Sequence, residues 1–425
     1  MSLDHLKVFG LYASQGVPFG FQSKVLPMLM RHWQKPYKSM ALFQLSFLPW
    51  AARPLIATFM ESSGEVLIQR SLVILGVILM FTSIAILNEN MQALLLLLWL
   101  SNACTVFHDI LVDKMSILLR KTSQMDAVNV YQVVGYKCGS LFSGTVLLLA
   151  SSHVLGDNKH AFSISPFVGA IYVLMLAVLL RSENVGTQAP KNMRTDEVDL
   201  VQNINLNVSS VFEKIFAHMR ANISLYVLLL IYKSGETIGD VLFSSFLHSR
   251  GFRIKQIASF GLFNDLVSIL GSLVMVIPKD NKTDSRSSDR RRLLFALASN
   301  VLPQCLRAII VNNERAQNVA IIMAVSFIEH FIGGAVTVAM FNFMFSNVLS
   351  SIEGTHYSVF AGLETLGKIL TGSAAHLFAD AFGFPVAFNC AAIVSLLPVL
   401  VCLLGGAASQ GGSGDSGKEK SKFKF

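Results

Sequence analysis

The residues of this chain with chemistry to offer are charged side chains set inside apolar sequence. Lys233, Glu236 and Asp240 follow one another at i, i+3 and i+7 and so share one helix face. Glu364 precedes Lys368 by four residues, the better order for a helical pair. Asp109 and Asp113 share a face in the same way, while Arg53 and Lys137 stand among apolar neighbours. A charge in lipid is costly unless it faces a cavity or a partner. Such groups therefore mark structural ion pairs or a polar path through the protein, and for Glu364–Lys368 and Lys233–Glu236 both readings stand.

Asp265 and Glu329 have no basic residue one turn away. Each lies roughly a dozen residues into an apolar run, near mid-bilayer at about 1.5 Å per residue. They are the first candidates for groups that take up and release a proton, with His330 placed to relay it. Glu236, Asp240 and Asp109 are further candidates. Lys137 is too deep to snorkel to the surface, so it is expected to face a cavity or to pair with Asp109 or Asp113.

The positions of the charges follow from the elements around them. Of 425 residues 53% are hydrophobic and only 14% charged, where about 25% is usual, and the mean hydropathy is +0.56. That excludes a soluble multidomain enzyme, a disordered chain and a disulfide scaffold. Twelve apolar stretches are long enough to cross a bilayer: 6–30, 39–61, 69–88, 91–112, 129–151, 161–181, 222–246, 254–277, 291–311, 317–345, 355–376 and 381–404. The expected fold is an all-α polytopic membrane protein with six-helix bundles at 1–181 and 221–404. A linker at 182–220 joins them, and a basic, disordered tail follows at 405–425.

Of the 34 basic residues, 20 fall on the side of the N-terminus, 8 on the other side and 6 within spans. The positive-inside rule then puts both termini and the linker in the cytosol. The net charge of +8 suits anionic lipid rather than nucleic acid. Asn207, Asn222 and Asn281 head sequons on the cytosolic side and are expected to carry no glycan. The first apolar run is too long for a cleavable leader.

Glycines four apart at Gly16/Gly20, Gly135/Gly139 and Gly235/Gly239 leave flat stripes where another helix can approach, for static packing or for rocking. Two echoes six spans apart suggest a repeat: Tyr12-Ala13-Ser14 with Tyr232-Lys233-Ser234, and GSLFSG at 139–144 with GKILTG at 367–372. No enzyme is expected, for there is no HExxH, GxSxG or P-loop. His108 and Asp109, as neighbours on a helix, point about 100° apart. The five cysteines lie in apolar runs without a CxxC, so neither metal nor cofactor is expected.

Residues 11–21, LYASQGVPFGF, resemble the first helix of one branch of the major facilitator superfamily, which holds AmpG-type muropeptide permeases and acetyl-coenzyme A transporters. PWAAR at 49–53, DILVD at 109–113, VVGYKCGSLFSG at 133–144 and LLLIYKSGETIGDVLFSSFL at 228–247 are similar to it as well. The chain departs from the pattern at Ile56-Ala57-Thr58, at Glu61 and at His108. The resemblance implies a twelve-helix fold with a central cavity, alternating access and a bulky anionic substrate driven by protons. Acetyl-coenzyme A leads as substrate, with a sugar-peptide fragment as the alternative. A receptor that does not transport stands outside the class. On this reading Tyr12, Gln15, Arg53, Gln132, Tyr136, Lys137, Lys233 and Lys368 bind substrate. Asp113, Glu364 and the six glycines serve structure or gating, and the protein works as a monomer.

Overall fold

A computed structural model describes residues 3–57, 91–122, 128–146, 149, 208–275, 285–313, 318–349 and 352–411. The expected spans 69–88 and 161–181, most of the linker, Thr58, Glu61, Asn207, Asn281 and the tail from 412 lie outside them. The other ten expected spans are helical where described. Among the described residues four helical stretches are long and apolar enough to cross a membrane, namely Lys255–Val274, Ser288–Asn312, Val319–Ser346 and Glu353–Gly405. Their apolar residues face outward in rows: Phe295, Leu302 and Ile309, seven apart, are each more than half exposed. Water would penalise such a row, and acyl chains would not. The chain is an integral multi-pass membrane protein.

In the first half α1 (Leu3–Gly20) runs through a π-helical turn, Phe21–Val25, into α2 (Leu26–His32). Pro36 is extended and starts α3 (Tyr37–Leu45), and a break leads to α4 (Leu48–Ala51). The Ser46 carbonyl at that break is taken by the Asn102 amide at 3.0 Å, from α5 (Met91–Thr122). Next, α6 (Val128–Leu141) ends in a second π turn, Phe142–Val146. A Cβ at Gly16 would come within 2.8 Å of the Ser140 nitrogen, and one at Gly135 within 2.5 Å of the Phe9 carbonyl oxygen. Gly20 and Gly139 are equally closed. The stripes therefore join α1 to α6, backbone against backbone.

The second half begins inside the expected linker. There α7 (Val208–Ala221) buries Val211 and Ile215 against Ile352 and meets the next helices at 88°. Those are α8 (Ile223–Ile231) and α9 (Ser234–Ser249), interrupted at Tyr232–Lys233. They lead to α10 (Ile254–Val274), α11 (Ser285–Asn312), α12 (Val319–Ser346), α13 (Glu353–Val394) and α14 (Leu396–Gly411). The last helix thus extends past the expected start of the tail at 405. Gly383 divides α13 with φ 81°, the left-handed region open to glycine, just ahead of Pro385. This kink separates the spans expected at 355–376 and 381–404. The halves meet where α6 packs on α10, and where α13 packs on α3.

Candidate functional site

Between the halves lies a cavity of about 570 Å³, within the range of a small-molecule site. Phe19, Phe47, Trp50, Tyr136, Phe243 and Tyr357 give it aromatic walls. The charged residues singled out by sequence, Glu329 excepted, converge on it, and several pair across helices rather than along one.

Arg53 is buried between Asp109 at 2.5 Å and Asp113. The Tyr12 hydroxyl donates to Asp113 at 2.7 Å, and the Gln15 amide donates to Asp109. The expected pairing of Lys137 with these aspartates does not form, because a guanidinium with five donors occupies both carboxylates. Lys137 faces the cavity instead. It donates to the Ser268 carbonyl at 3.1 Å, to the Ser268 hydroxyl at 2.5 Å and to the Ser272 hydroxyl at 3.0 Å, all on α10. Gln132 lines the cavity too and donates to the Tyr357 hydroxyl at 3.4 Å, joining the halves.

In the second half Lys233 pairs with Glu236 at 2.8 Å, and Asn300 also donates to that carboxylate at 3.3 Å. Lys368 pairs with Glu364, whose other donors are the Tyr232 hydroxyl at 2.6 Å and the Thr365 hydroxyl at 3.3 Å. Both local pairs thus form as the spacing suggests.

Asp265 and Glu329 require a correction, since each has a cation from another helix. Lys24 reaches both oxygens of Asp265, at 2.5 and 2.6 Å. Arg307 pairs with Glu329, which is 1% exposed and outside the cavity lining, and with Asp240 at 3.2 Å. Gln304 donates to Glu329 at 3.3 Å. An isolated carboxylate in apolar surroundings is so costly that the fold supplies a partner, and pairing across helices leaves no trace in local spacing. The ground for ranking these two first as proton carriers is gone.

One of the glycine expectations also changes. A Cβ at Gly239 would collide with the Arg307 guanidinium, so this glycine seats a side chain rather than a helix backbone. Gly235 does pack on backbone, within 2.6 Å of the Ala391 carbonyl oxygen.

Sequence reasoning passed over Lys24, Arg307, Tyr232, Asn300, Gln304 and Ser268. The signal for the first two was present, because each is a cation inside an expected span. In the finished structure every carboxylate lining the cavity has a cation partner. Two cavity cations, Lys137 and Arg31, have no carboxylate among the described residues. Arg31 lies over the Tyr37 ring and donates to the Lys35 carbonyl.

A cavity lined by paired charges thus lies between two sets of membrane helices. The nucleoside transporter NupG has a solved structure that resembles this chain with a TM-score of 0.65, covering 95% of this chain and 99% of that one at 14% identity. The two chains share a fold. By sequence, the anhydromuropeptide permease of Escherichia coli strain K12 is 22% identical over 303 residues, 70% of this chain. The same protein from Escherichia coli O157:H7 matches equally. The chain spans 58% of the length of these permeases. No family model matches it.

Proposed function

We propose that the protein is a secondary active transporter that works by alternating access of its central cavity, with twelve spans in two six-helix halves and both termini in the cytosol. The substrate is a bulky anion with an apolar or sugar face, of the sugar-peptide kind that the name of the Escherichia coli permeases prints. The names of those two permeases do not print acetyl-coenzyme A. One observation carries the reading: the Lys137 ammonium faces the cavity and its hydrogen-bond partners are neutral oxygens. A cation in low dielectric with no carboxylate in direct contact favours an incoming anion, and the aromatic walls favour stacking on the remainder of that anion. Asp240, whose side chain is 41% exposed, shares Arg307 with buried Glu329 and is the carboxylate best placed to exchange a proton with the cavity.

Uptake into proteoliposomes tests this, with radiolabelled anhydromuropeptide and acetyl-coenzyme A offered separately under an imposed proton gradient. Gradient-dependent accumulation of the first supports the reading. Accumulation of the second alone would overturn the substrate class. Binding with no uptake of either would make the protein a receptor.

A further inference from the structure

Of the ion pairs described above, Lys24–Asp265 alone joins the two halves. It is assembled by both π turns. Lys24 lies in Phe21–Val25, and Thr145, in Phe142–Val146, donates to the same carboxylate at 3.2 Å. The turns interlock: a Cβ at Gly144 would meet the Gly20 carbonyl oxygen at 2.7 Å and the Lys24 Cδ at 2.8 Å, so the lysine stem crosses a surface that only glycine leaves free. π turns inside α-helices commonly mark functional positions.

Three residues after Asp265 on α10, one turn further, Ser268 holds Lys137. Lys137 lies within electrostatic range of both Asp265 and Lys24. Lys233 and its partner Glu236 lie within the same range, so three ammonium groups converge where the protein provides two carboxylates. All of these groups line the cavity.

We propose that Lys24 and Lys137 form an anion subsite in which Asp265 is a built-in competitor, so that an incoming carboxylate or phosphate displaces Asp265 from Lys24 and releases the ion pair holding the halves together. The subsite rests on the transporter reading and adds to it where the anion binds and how its arrival is coupled to opening.

The test reads opening rather than transport. Met28 lines the cavity and packs against apolar clusters of both halves, so a cysteine there reports their separation. In full-length Met28→Cys protein with its five native cysteines changed to serine, labelling by an impermeant maleimide is followed in inorganic phosphate and in chloride of matched ionic strength. Phosphate speeds labelling several-fold in this parent. Asp265→Asn labels fast in either salt, and Lys137→Met loses the phosphate response. The exchanged pair Lys24→Asp with Asp265→Lys returns labelling in chloride to the slow rate. Parental labelling of Asp265→Asn, or a parent indifferent to phosphate, would overturn the proposal. Failed uptake with an intact phosphate response would remove the transporter reading and leave the subsite. Intact uptake with no phosphate response would do the reverse.

Discussion

Arg307 gives the sharpest test of how charge is held in this protein. Its side chain is 1% exposed, in the space that Gly239 leaves open, with its guanidinium 4.6 Å from the Phe243 ring centroid. Arg307→Met keeps much of the volume, and its sulfur can still pack on that ring. It leaves Glu329 equally buried, with no cation. Breaking a buried pair from one side costs about 3–5 kcal/mol. Asp240 adds little, because its side chain is 41% exposed and water can solvate it. Removing both charges, as Arg307→Met with Glu329→Leu, leaves no buried charge stranded, only the Gln304 amide without its acceptor, and is expected to fall within about 1–2 kcal/mol of the parent, since apolar replacement of buried pairs is often neutral or better. The two sites should therefore couple by roughly 2–4 kcal/mol in a double-mutant cycle. Unfolding of the purified protein by sodium dodecyl sulfate in mixed micelles, followed by circular dichroism, measures all four forms. If Arg307→Met costs less than about 1 kcal/mol, or the double variant is no better than the worse single one, the guanidinium is not neutralising Glu329 and the reasoning fails.

The same unfolding assay separates two glycines. Gly16→Ala forces a methyl against the Tyr136 and Ser140 backbone and should cost about 1–3 kcal/mol, whereas Gly261→Ala meets only the Thr145 side chain at 3.7 Å and should be neutral or stabilising by up to about 1 kcal/mol. Tyr232→Phe removes one charge-assisted donor from Glu364 Oε1, which keeps Lys368, and should lose about 1–3 kcal/mol, with unchanged stability counting against that hydrogen bond. Lys137→Met should fold normally yet raise the KM for an anionic substrate at least about tenfold, the equivalent of one charge-assisted hydrogen bond; unchanged uptake kinetics would remove Lys137 from the site. Thiol labelling from either face of sealed cells places the linker: a cysteine at Asn207 should react only from the cytosol, and reaction from outside would invert the topology drawn from the basic residues.

How far the sequence reaches depends on the distance over which each property acts. Membrane spans are local sums over about 20 residues, so composition alone marks the helices that the described residues contain. Pairs one turn apart are local as well, and Lys233–Glu236 and Glu364–Lys368 form as their spacing suggests. The glycine stripes were legible as surfaces. Their partners were not, and Gly239 turns out to seat a guanidinium while Gly16 and Gly139 seat a helix. The amphipathic helix at Val208–Ala221 was hidden in a polar stretch, because its apolar face is only a few residues wide.

By itself, the sequence determined that this is a helical membrane protein with an unusual number of buried charges, since hydropathy and the cost of a charge in lipid are properties of residue type. Tertiary structure alone decided which charges cancel. Asp265 and Glu329 stand unpaired along the chain and are neutralised in space by Lys24 and Arg307, and Arg53 claims the two aspartates that Lys137 was expected to meet. Coulomb attraction acts over a few ångströms in space, whatever the separation in sequence. Partners 241 residues apart meet only when two helices are packed side by side, and that packing leaves Lys137 facing the cavity with no carboxylate of its own.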